Sequence, residues 1–431
     1  MPEAYLIVSL VGFAFTLLAL TAPRHPAVLS FPVFMAGWVA GELALFHIAW
    51  QAVATIVFAA LGAFTATEGW IGLGVTVLSW VGLWIAHRRH AGAAPLLQEA
   101  LREALPDELF SSDAYRPATI SGRQLLSPYR MRSSDLEIVR DLPYGEHKRQ
   151  RLDVYRAPHH GTGRPVLLQI HGGGWVSGHK HQQGQPLMHD LAARGWVCVA
   201  PNYRLSPRAT FPDMLVDVKR ALAWVREHIH EHGGDPSFVV VTGGSAGGHL
   251  ASLLALTPNR PGLQPGFEDV DTSVVACVPM YAVFDFLDQG GVRGRAAMRP
   301  FLQKFIMKCS PTDCPEMWEL ASPISQVNAD APPFFVVHGG SDSLAWVEDA
   351  RSFVAALKAV SHEPVLYAEL EHAQHAFDVM YTVRSAHVVH AIGQWLDHLF
   401  SQRAESSQRA QAPAGDAPPT SPLEARLSRT R

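Results

Sequence analysis

The chain has 431 residues, of which 48% are hydrophobic and 17% are charged, and its formal net charge is −4. A near-neutral chain without a basic excess gives no electrostatic reason to expect nucleic-acid binding, and its 20 Phe, 11 Trp and 9 Tyr exclude an acidic disordered protein. The length predicts two or three folding units.

Charged side chains are distributed very unevenly along the chain. Residues 1–86 contain only four of them, whereas the other 70 lie in residues 87–431. A charge-poor stretch of this length is rare in soluble domains and typical of membrane-spanning segments. The sequence therefore predicts an integral membrane protein, with a transmembrane helical region over residues 1–90 in contact with the lipid bilayer.

The transmembrane region divides into three or four predicted helices. Residues 4–22 and 70–86 are uncharged, and each is long enough to cross a hydrocarbon layer of about 30 Å. Residues 28–66, with Glu42 as their only charge, are too long for one helical crossing. They form either two spans joined by a tight turn or one span plus an interfacial segment. Glu42 and His47 mark that turn or line a polar site between helices.

Three arginines decide the predicted orientation in the cell membrane. Arg24, Arg88 and Arg89 share the side of the C-terminal domain if there are three spans, and two of them do if there are four. Because cytoplasmic loops are enriched in basic residues, the large domain is predicted to be cytoplasmic. A disulfide between Cys309 and Cys314, which lie close in sequence, would instead indicate an oxidising, extracytoplasmic side.

Residues 91–135 are predicted to contain an amphipathic helix followed by a linker. Leucines recur every four residues from Leu97 to Leu109, and the helix should bend near Pro106. Its apolar face could lie on the membrane surface or dock on the next domain. The tail, residues 401–431, has no aromatic residue and is predicted to be disordered.

Short β-branched runs alternate with helical periodicity between residues 136 and 400. Strands are predicted at 150–155, 165–170, 196–200, 238–242, 274–279, 333–338 and 365–370, and helices at 182–194, 213–231, 246–256, 345–360 and 385–400. The alternation predicts an α/β domain with a mostly parallel sheet and helices on both faces. Continuously apolar strands such as FVVVT agree with this, because such strands are buried on both faces.

A glycine-rich turn, GGSAG (243–247), follows the predicted strand at 238–242. A serine at a sharp strand-to-helix turn is strained and exposes its hydroxyl, and small neighbours allow the backbone to approach closely. The following helix directs its N-terminal N–H groups at the place where negative charge would develop. The pattern predicts Ser245 as a nucleophile, supported by Gly243 and Gly247. The alternative is an ordinary turn with an N-capping serine.

A second glycine-rich segment, HGGGW (171–175), follows the predicted strand at 165–170. Successive glycines let the backbone present bare N–H groups to a small volume, as in an oxyanion hole. A phosphate-binding loop would normally lead into a helix with a G-K-[ST] pattern, which is absent here. We expect Gly172 to support this turn and His171 to orient it by hydrogen bonding.

A nucleophilic serine needs a base, and the base needs an orienting carboxylate. Asp342 and His375 each follow a predicted strand, and the loops of an active site collect at the carboxyl ends of parallel strands. Glu348 and Asp349 are alternative acids but lie in a predicted helix, where they should face solvent. His372 is an alternative base. Placement on loops and the motif match favour Asp342 and His375.

Several motifs of residues 136–400 occur in the order found in one known family. They are HGGGWVSG (171–178), NYRLSP (202–207), FPDMLVDVKRALAWVREH (211–228), GGSAGGHLAS (243–252), ASPISQV (321–327), APPFFVVHGGSD (331–342) and HAF (375–377). On these motifs the chain resembles the hormone-sensitive-lipase-like branch of the α/β-hydrolase fold, including BD-FAE-type carboxylesterases, over about 60% of its length. Gly244 departs from the Asp or Glu common in the lipase-like branch and favours the BD-FAE side. The membrane-anchored layout is similar to that of actinobacterial membrane esterases.

The resemblance implies a carboxylesterase or lipase that transfers an acyl group to water without a metal or cofactor, acting on a small-molecule or lipid ester. It assigns a triad and three backbone N–H donors to matching positions: Ser245, Asp342 and His375, with Gly173, Gly174 and Ala246. It also implies a cap at about residues 284–320. The same residues could serve an acyltransferase or an amide or formamide hydrolase, and a catalytically silent membrane scaffold is a third possibility.

Overall fold

The structure, a computed structural model, describes residues 1–23, 30–110, 118, 127–129, 136–158, 161–292 and 298–411. Arg24 and most of the predicted linker therefore lie outside the described residues. Four apolar helices come first: α1 (Pro2–Thr21), α2 (Ser30–Glu42), α3 (Ala44–Ala60) and α4 (Thr67–Arg89). Two shorter helices follow, α5 (Ala93–Arg102) and α6 (Asp107–Phe110).

Two of these helical stretches are long and apolar enough to cross a membrane, namely α1 and the run from Thr67 to Arg102. The helices α2 and α3 reach that length only as a pair, and they are bent by 87° at Leu43. With 13 residues, α2 extends about 20 Å and is too short to cross a hydrocarbon layer of about 30 Å by itself, whereas α3, with 17 residues and about 26 Å, is at the short limit. Residues 28–66 therefore fit one bent span better than two full ones, and a turn is found next to Glu42.

Small and polar residues line the contact between α1 and α4. The hydroxyl of Thr76 donates to Ser9 at 2.9 Å, and the hydroxyls of Thr16 and Ser79 lie 2.7 Å apart. The helices are so close that a Cβ atom on Gly72 would lie 3.2 Å from the Cα atom of Leu6. Small residues and interhelical hydrogen bonds are typical of helices that associate in apolar surroundings.

The rest of the chain forms one eight-stranded sheet. The strands are β1 (Glu137–Pro143), β2 (Arg151–Arg156), β3 (Arg164–Ile170), β4 (Val197–Pro201), β5 (Gly234–Gly244), β6 (Ala276–Met280), β7 (Phe334–Gly339) and β8 (Val365–Leu370). Their order is β1-β2-β4-β3-β5-β6-β7-β8, with β2 antiparallel to both neighbours and every later pair parallel. The predicted mostly parallel sheet is confirmed, and the seven predicted strands correspond to β2–β8. The edge strand β1 was not predicted, because its side chains are half exposed and three of them are charged.

Helices cover both faces of the sheet. They are α7 (Gln185–Ala193), α8 (Asp213–His228), α9 (Ala246–Leu256), α10 (Pro315–Leu320), α11 (Val347–Val360) and α12 (Val383–Gln411). Neighbouring strand residues belong to different cores: Leu168 packs in the cluster with α8, α9 and α11, and Leu167 packs in the cluster with α7 and α12. Burial on both sides explains why the central strands are largely apolar.

The structure decides between the two alternatives for the amphipathic helix and changes part of the prediction for the tail. Leu97 and Leu101 of α5 are buried in the same cluster as α7 and α12, so this helix docks on the sheet domain. Helix α12 continues to Gln411, which makes residues 401–411 helical where disorder was predicted. Ala, Gln, Glu and Arg have high helix propensity and can extend a helix that packing has already nucleated. Residues 412–431 lie outside the described residues.

Candidate active site

Ser245 lies at the sharp turn between β5 and α9. Its φ of 57° and ψ of −124° are strained for a residue with a side chain. The Ser245 N–H donates to the carbonyl of Met280 at 3.0 Å, which ties the turn to β6. A Cβ atom on Gly247 would overlap the carbonyl oxygen of Ile170. The strained serine and its small neighbour are therefore arranged as the GGSAG pattern predicts, with the side chain half exposed.

The HGGG segment lies directly beside this serine. A Cβ atom on Gly172 would come within 3.2 Å of the Ser245 Cβ atom. Gly173 and Gly174 have φ values of 108° and 60°, which favour glycine. Among the residues that the structure describes, no acceptor is recorded for the N–H groups of Gly173, Gly174 and Ala246. These donors are free to bind a ligand next to the serine.

Neighbouring side chains hold the HGGG segment in place. The imidazole of His171 stacks on Tyr203 with 4.4 Å between ring centroids, and its Nδ1 lies 2.8 Å from the Gly172 carbonyl. Burial lowers the pKa of His171 to about 3, so this ring is neutral. The Gln183 side chain accepts the Gly172 N–H at 2.6 Å. His171 therefore lies where it can orient the loop, and Gln183 is a support that the sequence did not signal.

Asp342 and His375 meet at the carboxyl ends of the neighbouring parallel strands β7 and β8. His375 Nδ1 lies 2.6 Å from Asp342 Oδ2, and the other carboxylate oxygen accepts the N–H groups of Leu344 and Ala345, both at 2.8 Å. Asp342 is fully buried. If Nδ1 of the imidazole donates to this fixed carboxylate, Nε2 is the nitrogen that can accept a proton.

Gln374 joins the loop of the acid to the loop of the base. Its side-chain oxygen accepts the N–H of Ser343 at 2.8 Å and the N–H of His375 at 2.9 Å. The side chain is largely buried. Sequence reasoning missed this residue, because its position next to His375 does not predict a contact with Ser343, about thirty residues earlier in the chain.

The competing acids and base are not at this site. His372 is exposed, and Glu348 and Asp349 lie in the first turn of α11. Asp349 is only 3% exposed, which corrects the expectation that it faces solvent. The reason is that the first turn of α11 is itself packed in the domain, where Val347 and Ala350 on either side of Asp349 are also buried.

Tyr281 contacts both the serine turn, at Gly244, and the imidazole of His375. Its ring centroid is 4.8 Å from that of His375, and a Cβ atom on Gly244 would lie 2.6 Å from the Tyr281 Cζ atom. This close approach explains why glycine precedes the serine. Among the described contacts, no hydrogen bond joins the Ser245 hydroxyl to His375. Such bonds are often long in unliganded enzymes and shorten when substrate binds.

Comparison with known proteins gives the family of this arrangement. The BD-FAE family model matches residues 152–357. The chain is 46% identical over 353 residues to the probable carboxylic ester hydrolase LipM of Mycobacterium tuberculosis (strain ATCC 25618 / H37Rv), a match that covers 79% of this chain and 80% of that protein. It is 38% identical over 375 residues to esterase LipQ of the same organism, covering 86% and 85%. Because 86% of this chain is matched, the likeness to LipQ extends into the helices before β1.

Solved structures agree on the fold. Esterase B from Lactobacillus Rhamnosis (HN001) covers 74% of this chain and 99% of its own with a TM-score of 0.55 and 20% identity, a likeness of fold alone. Propionate-bound esterase Est2 from Thermogutta terrifontis covers 63% and 95% with a TM-score of 0.50 and 25% identity. The match to the BD-FAE model, the identity to LipM and LipQ and the mostly parallel sheet together show the family. The chain belongs to the esterase family of the α/β-hydrolase fold that includes the BD-FAE model and these mycobacterial relatives.

Proposed function

We propose that this protein is a membrane-anchored carboxylic-ester hydrolase in which Ser245, His375 and Asp342 form a catalytic triad. The observation that carries the proposal is the 2.6 Å hydrogen bond between His375 and Asp342, at the edge of the sheet where the strained serine turn meets the glycine loop. Nucleophile, base and acid follow three different strands, as the known serine hydrolases of this fold require.

The proposed reaction is acyl transfer to water through an acyl-enzyme. Ser245 attacks the ester carbonyl while His375 Nε2 takes its proton, and Asp342 holds the imidazole and stabilises its charged form. The N–H groups of Gly173, Gly174 and Ala246 bind the oxyanion of the tetrahedral intermediate. His375 then protonates the leaving alkoxide, and a water molecule repeats the sequence on the acyl-enzyme.

We also propose that residues 284–320 form a cap over the substrate. The Phe301 ring is placed 3.9 Å from where a Cβ atom on Gly174 would lie, so the segment reaches the proposed oxyanion donors. It contains α10, the helical segment Arg299–Met307 and the Cys309–Cys314 disulfide. Residues 293–297 of this segment lie outside the described residues.

The test of the proposed activity is labelling and turnover by the full chain in detergent. A serine-directed fluorophosphonate should label the wild type, which should also hydrolyse p-nitrophenyl esters, and Ser245→Ala should lose both. Ser252→Ala is the matched control, because Ser252 lies in α9, two turns after Ser245, and its hydroxyl binds the carbonyl of Gly248 and the side chain of Cys277. A folded wild type without either activity would leave the silent scaffold as the better interpretation. Products formed from an added alcohol or an amide, rather than from water and an ester, would indicate the alternative enzymes.

The proposed location is the cell membrane, with α1, the bent pair α2–α3 and α4 as three spans and the catalytic domain in the cytoplasm. The arginine distribution supports this side, and the disulfide between Cys309 and Cys314 is the observation against it. A membrane-impermeant maleimide, applied to intact cells after mild reduction, should leave these cysteines unlabelled. Labelling that is lost in the Cys309→Ser/Cys314→Ser variant would place the domain outside.

A further inference from the structure

The helix α2 reaches the proposed active site. The ring of Phe34 meets the imidazole of His375 edge-on, with 5.6 Å between centroids and an interplanar angle of 85°. Trp38, one turn later, stacks on Phe34 at 5.6 Å and donates its indole N–H to the carbonyl of Ala376 at 2.9 Å. A helix from the charge-poor region therefore touches both the proposed base and the residue that follows it.

The loop that carries His375 needs support from outside itself. His372 and Ala376 have φ values of 57° and 60°, a conformation that is costly for residues with a side chain. Each of their carbonyl groups binds a group from another element: Trp38 donates to Ala376, and Arg384 donates to His372 at 3.4 Å. Strained residues persist only where their surroundings hold them, so these contacts help to fix the imidazole between them.

A buried ion pair holds α2 in register with this loop. The carboxylate of Glu42, the last residue of α2, binds Arg384 and accepts the hydroxyl of Thr382 at 3.1 Å. The side chains of Glu42 and Arg384 are 2% and 4% exposed. Since Arg384 also binds the His372 carbonyl, the same arginine connects α2 to the strained loop.

We propose that α2 is part of the catalytic machinery, with Phe34 and Trp38 as positioning residues for His375. Trp38 fixes the backbone directly after the imidazole, and Phe34 closes one side of the ring, so that the imidazole keeps the position in which its Nδ1 meets Asp342. The inference rests on the proposed function, because a fixed imidazole matters only if His375 is the base. It means that the N-terminal region contributes to turnover as well as to anchoring.

The experiment measures kcat and KM on p-nitrophenyl acetate for the full chain in detergent, beside its thermal melting. Trp38→Phe keeps the stacked ring and removes only the N–H donor. We expect kcat to fall about 10- to 100-fold, the scale set by a misplaced catalytic group, with KM and melting temperature unchanged. Phe34→Leu should lower kcat in the same way, and Phe34→Tyr, which keeps the aromatic edge, should retain most of it.

Two variants are matched controls. Trp50→Phe removes an indole N–H that donates to His47 at 3.1 Å within α3, and Phe15→Leu changes an exposed ring on α1. Both should turn over like the wild type. The proposal is overturned if Trp38→Phe keeps wild-type kcat, if Trp50→Phe loses as much, or if the loss of kcat follows a fall in melting temperature. A wild type that neither turns over nor reacts with the fluorophosphonate would instead count against the ester-hydrolase function, and this proposal would fall with it.

Discussion

The two regions of the molecule differ in which side chains they bury and which they expose. The helices α1 and α4 turn Ser9, Thr16 and Ser79 inward, whereas the sheet domain buries rings such as Phe335 and Phe353. Among the described residues, all but three of the large apolar side chains that are exposed lie in residues 1–85. One rule explains both patterns: large apolar side chains avoid water. In a domain surrounded by water they are buried in the core, whereas helices in apolar surroundings can leave them outside and pack through small residues. The inward face of the N-terminal helices is therefore recognised by its small residues, and that of the sheet domain by its large ones.

The boundary between the regions follows neither pattern. There the contacts are a buried ion pair between Glu42 and Arg384, the indole of Trp38 on a backbone carbonyl, and the ring of Phe34 on His375. Buried charges and polar groups are costly unless they are paired, and here each has its partner on the other side of the boundary. Because each of these contacts needs a specific partner, together they favour one position of α2 relative to the sheet domain.

The largest expected effect is the loss of activity when Asp342, the proposed acid of the triad, is changed, and it distinguishes Asp342 from the alternative acids Glu348 and Asp349. Asp342→Asn should lower kcat by about 10³- to 10⁴-fold, because an amide no longer holds the imidazole in the tautomer that can accept the serine proton. The measurement is ester hydrolysis by folded, detergent-solubilised protein. Glu348→Gln, six residues later, should retain wild-type activity. Equal losses in both variants would show that the acid has been assigned wrongly.

The next prediction applies the same kind of truncation to both regions. Phe353 is fully buried and stacks on Phe284 with 4.3 Å between centroids, so Phe353→Ala should cost about 3–5 kcal/mol of unfolding free energy. Leu78 on α4 is 59% exposed, and Leu78→Ala should cost less than about 1 kcal/mol. Denaturant unfolding of each variant in the same detergent measures the difference. Similar costs would mean that the N-terminal helices bury their large side chains after all.

Sequence periodicity predicted the parts of the fold that repeat a local pattern. The strands β3–β8 were found because burial on both faces makes most of their residues apolar, and β1 was missed because an exposed edge strand carries no such signal. Ser245 and the proposed oxyanion donors were predicted because the serine turn and the glycine loop each require glycine in a short segment, whereas Asp342 and His375 were chosen from their positions after strands and from the order of the motifs. The roles of Gln183 and Gln374 depend on which loops meet, and no local pattern records that.

The contacts between the regions were the least predictable of all. Trp38 and Ala376 are separated by 338 positions, and Glu42 and Arg384 by 342. Sequence reasoning left Glu42 either at a turn or in a polar site between helices, and in the structure it lies next to a turn and also binds Arg384. A single charge in an apolar stretch does not identify its partner. The docking of α5 was left open for the same reason. An amphipathic helix indicates that its apolar face is covered, but not whether the membrane or the next domain covers it.

A smaller effect is expected from two glycines on the same helix. A Cβ atom on Gly72 of α4 would lie 3.0 Å from the Tyr5 ring and 3.2 Å from the Leu6 backbone, whereas one on Gly74 would meet nothing within 4 Å. Gly72→Ala should therefore force α1 and α4 apart at a cost of about 1–3 kcal/mol. Gly74→Ala should stabilise the helix slightly, because alanine loses less backbone entropy. The melting temperature should fall for Gly72→Ala and rise slightly for Gly74→Ala. Equal shifts would contradict the close contact between α1 and α4.

The smallest effect is expected where α5 meets the sheet domain through charge. Lys358 of α11 and Glu103, next to the end of α5, form an ion pair at 2.7 Å with side chains 43% and 49% exposed. Exposed pairs contribute little, so Glu103→Gln should cost less than about 1 kcal/mol, and the difference should shrink further at high salt. Leu101→Ala is the comparison, because that leucine is buried in the core shared with α7 and α12 and its loss should be felt at any ionic strength. A large, salt-sensitive loss in Glu103→Gln would mean that charge, rather than the apolar face of α5, holds this helix on the catalytic domain.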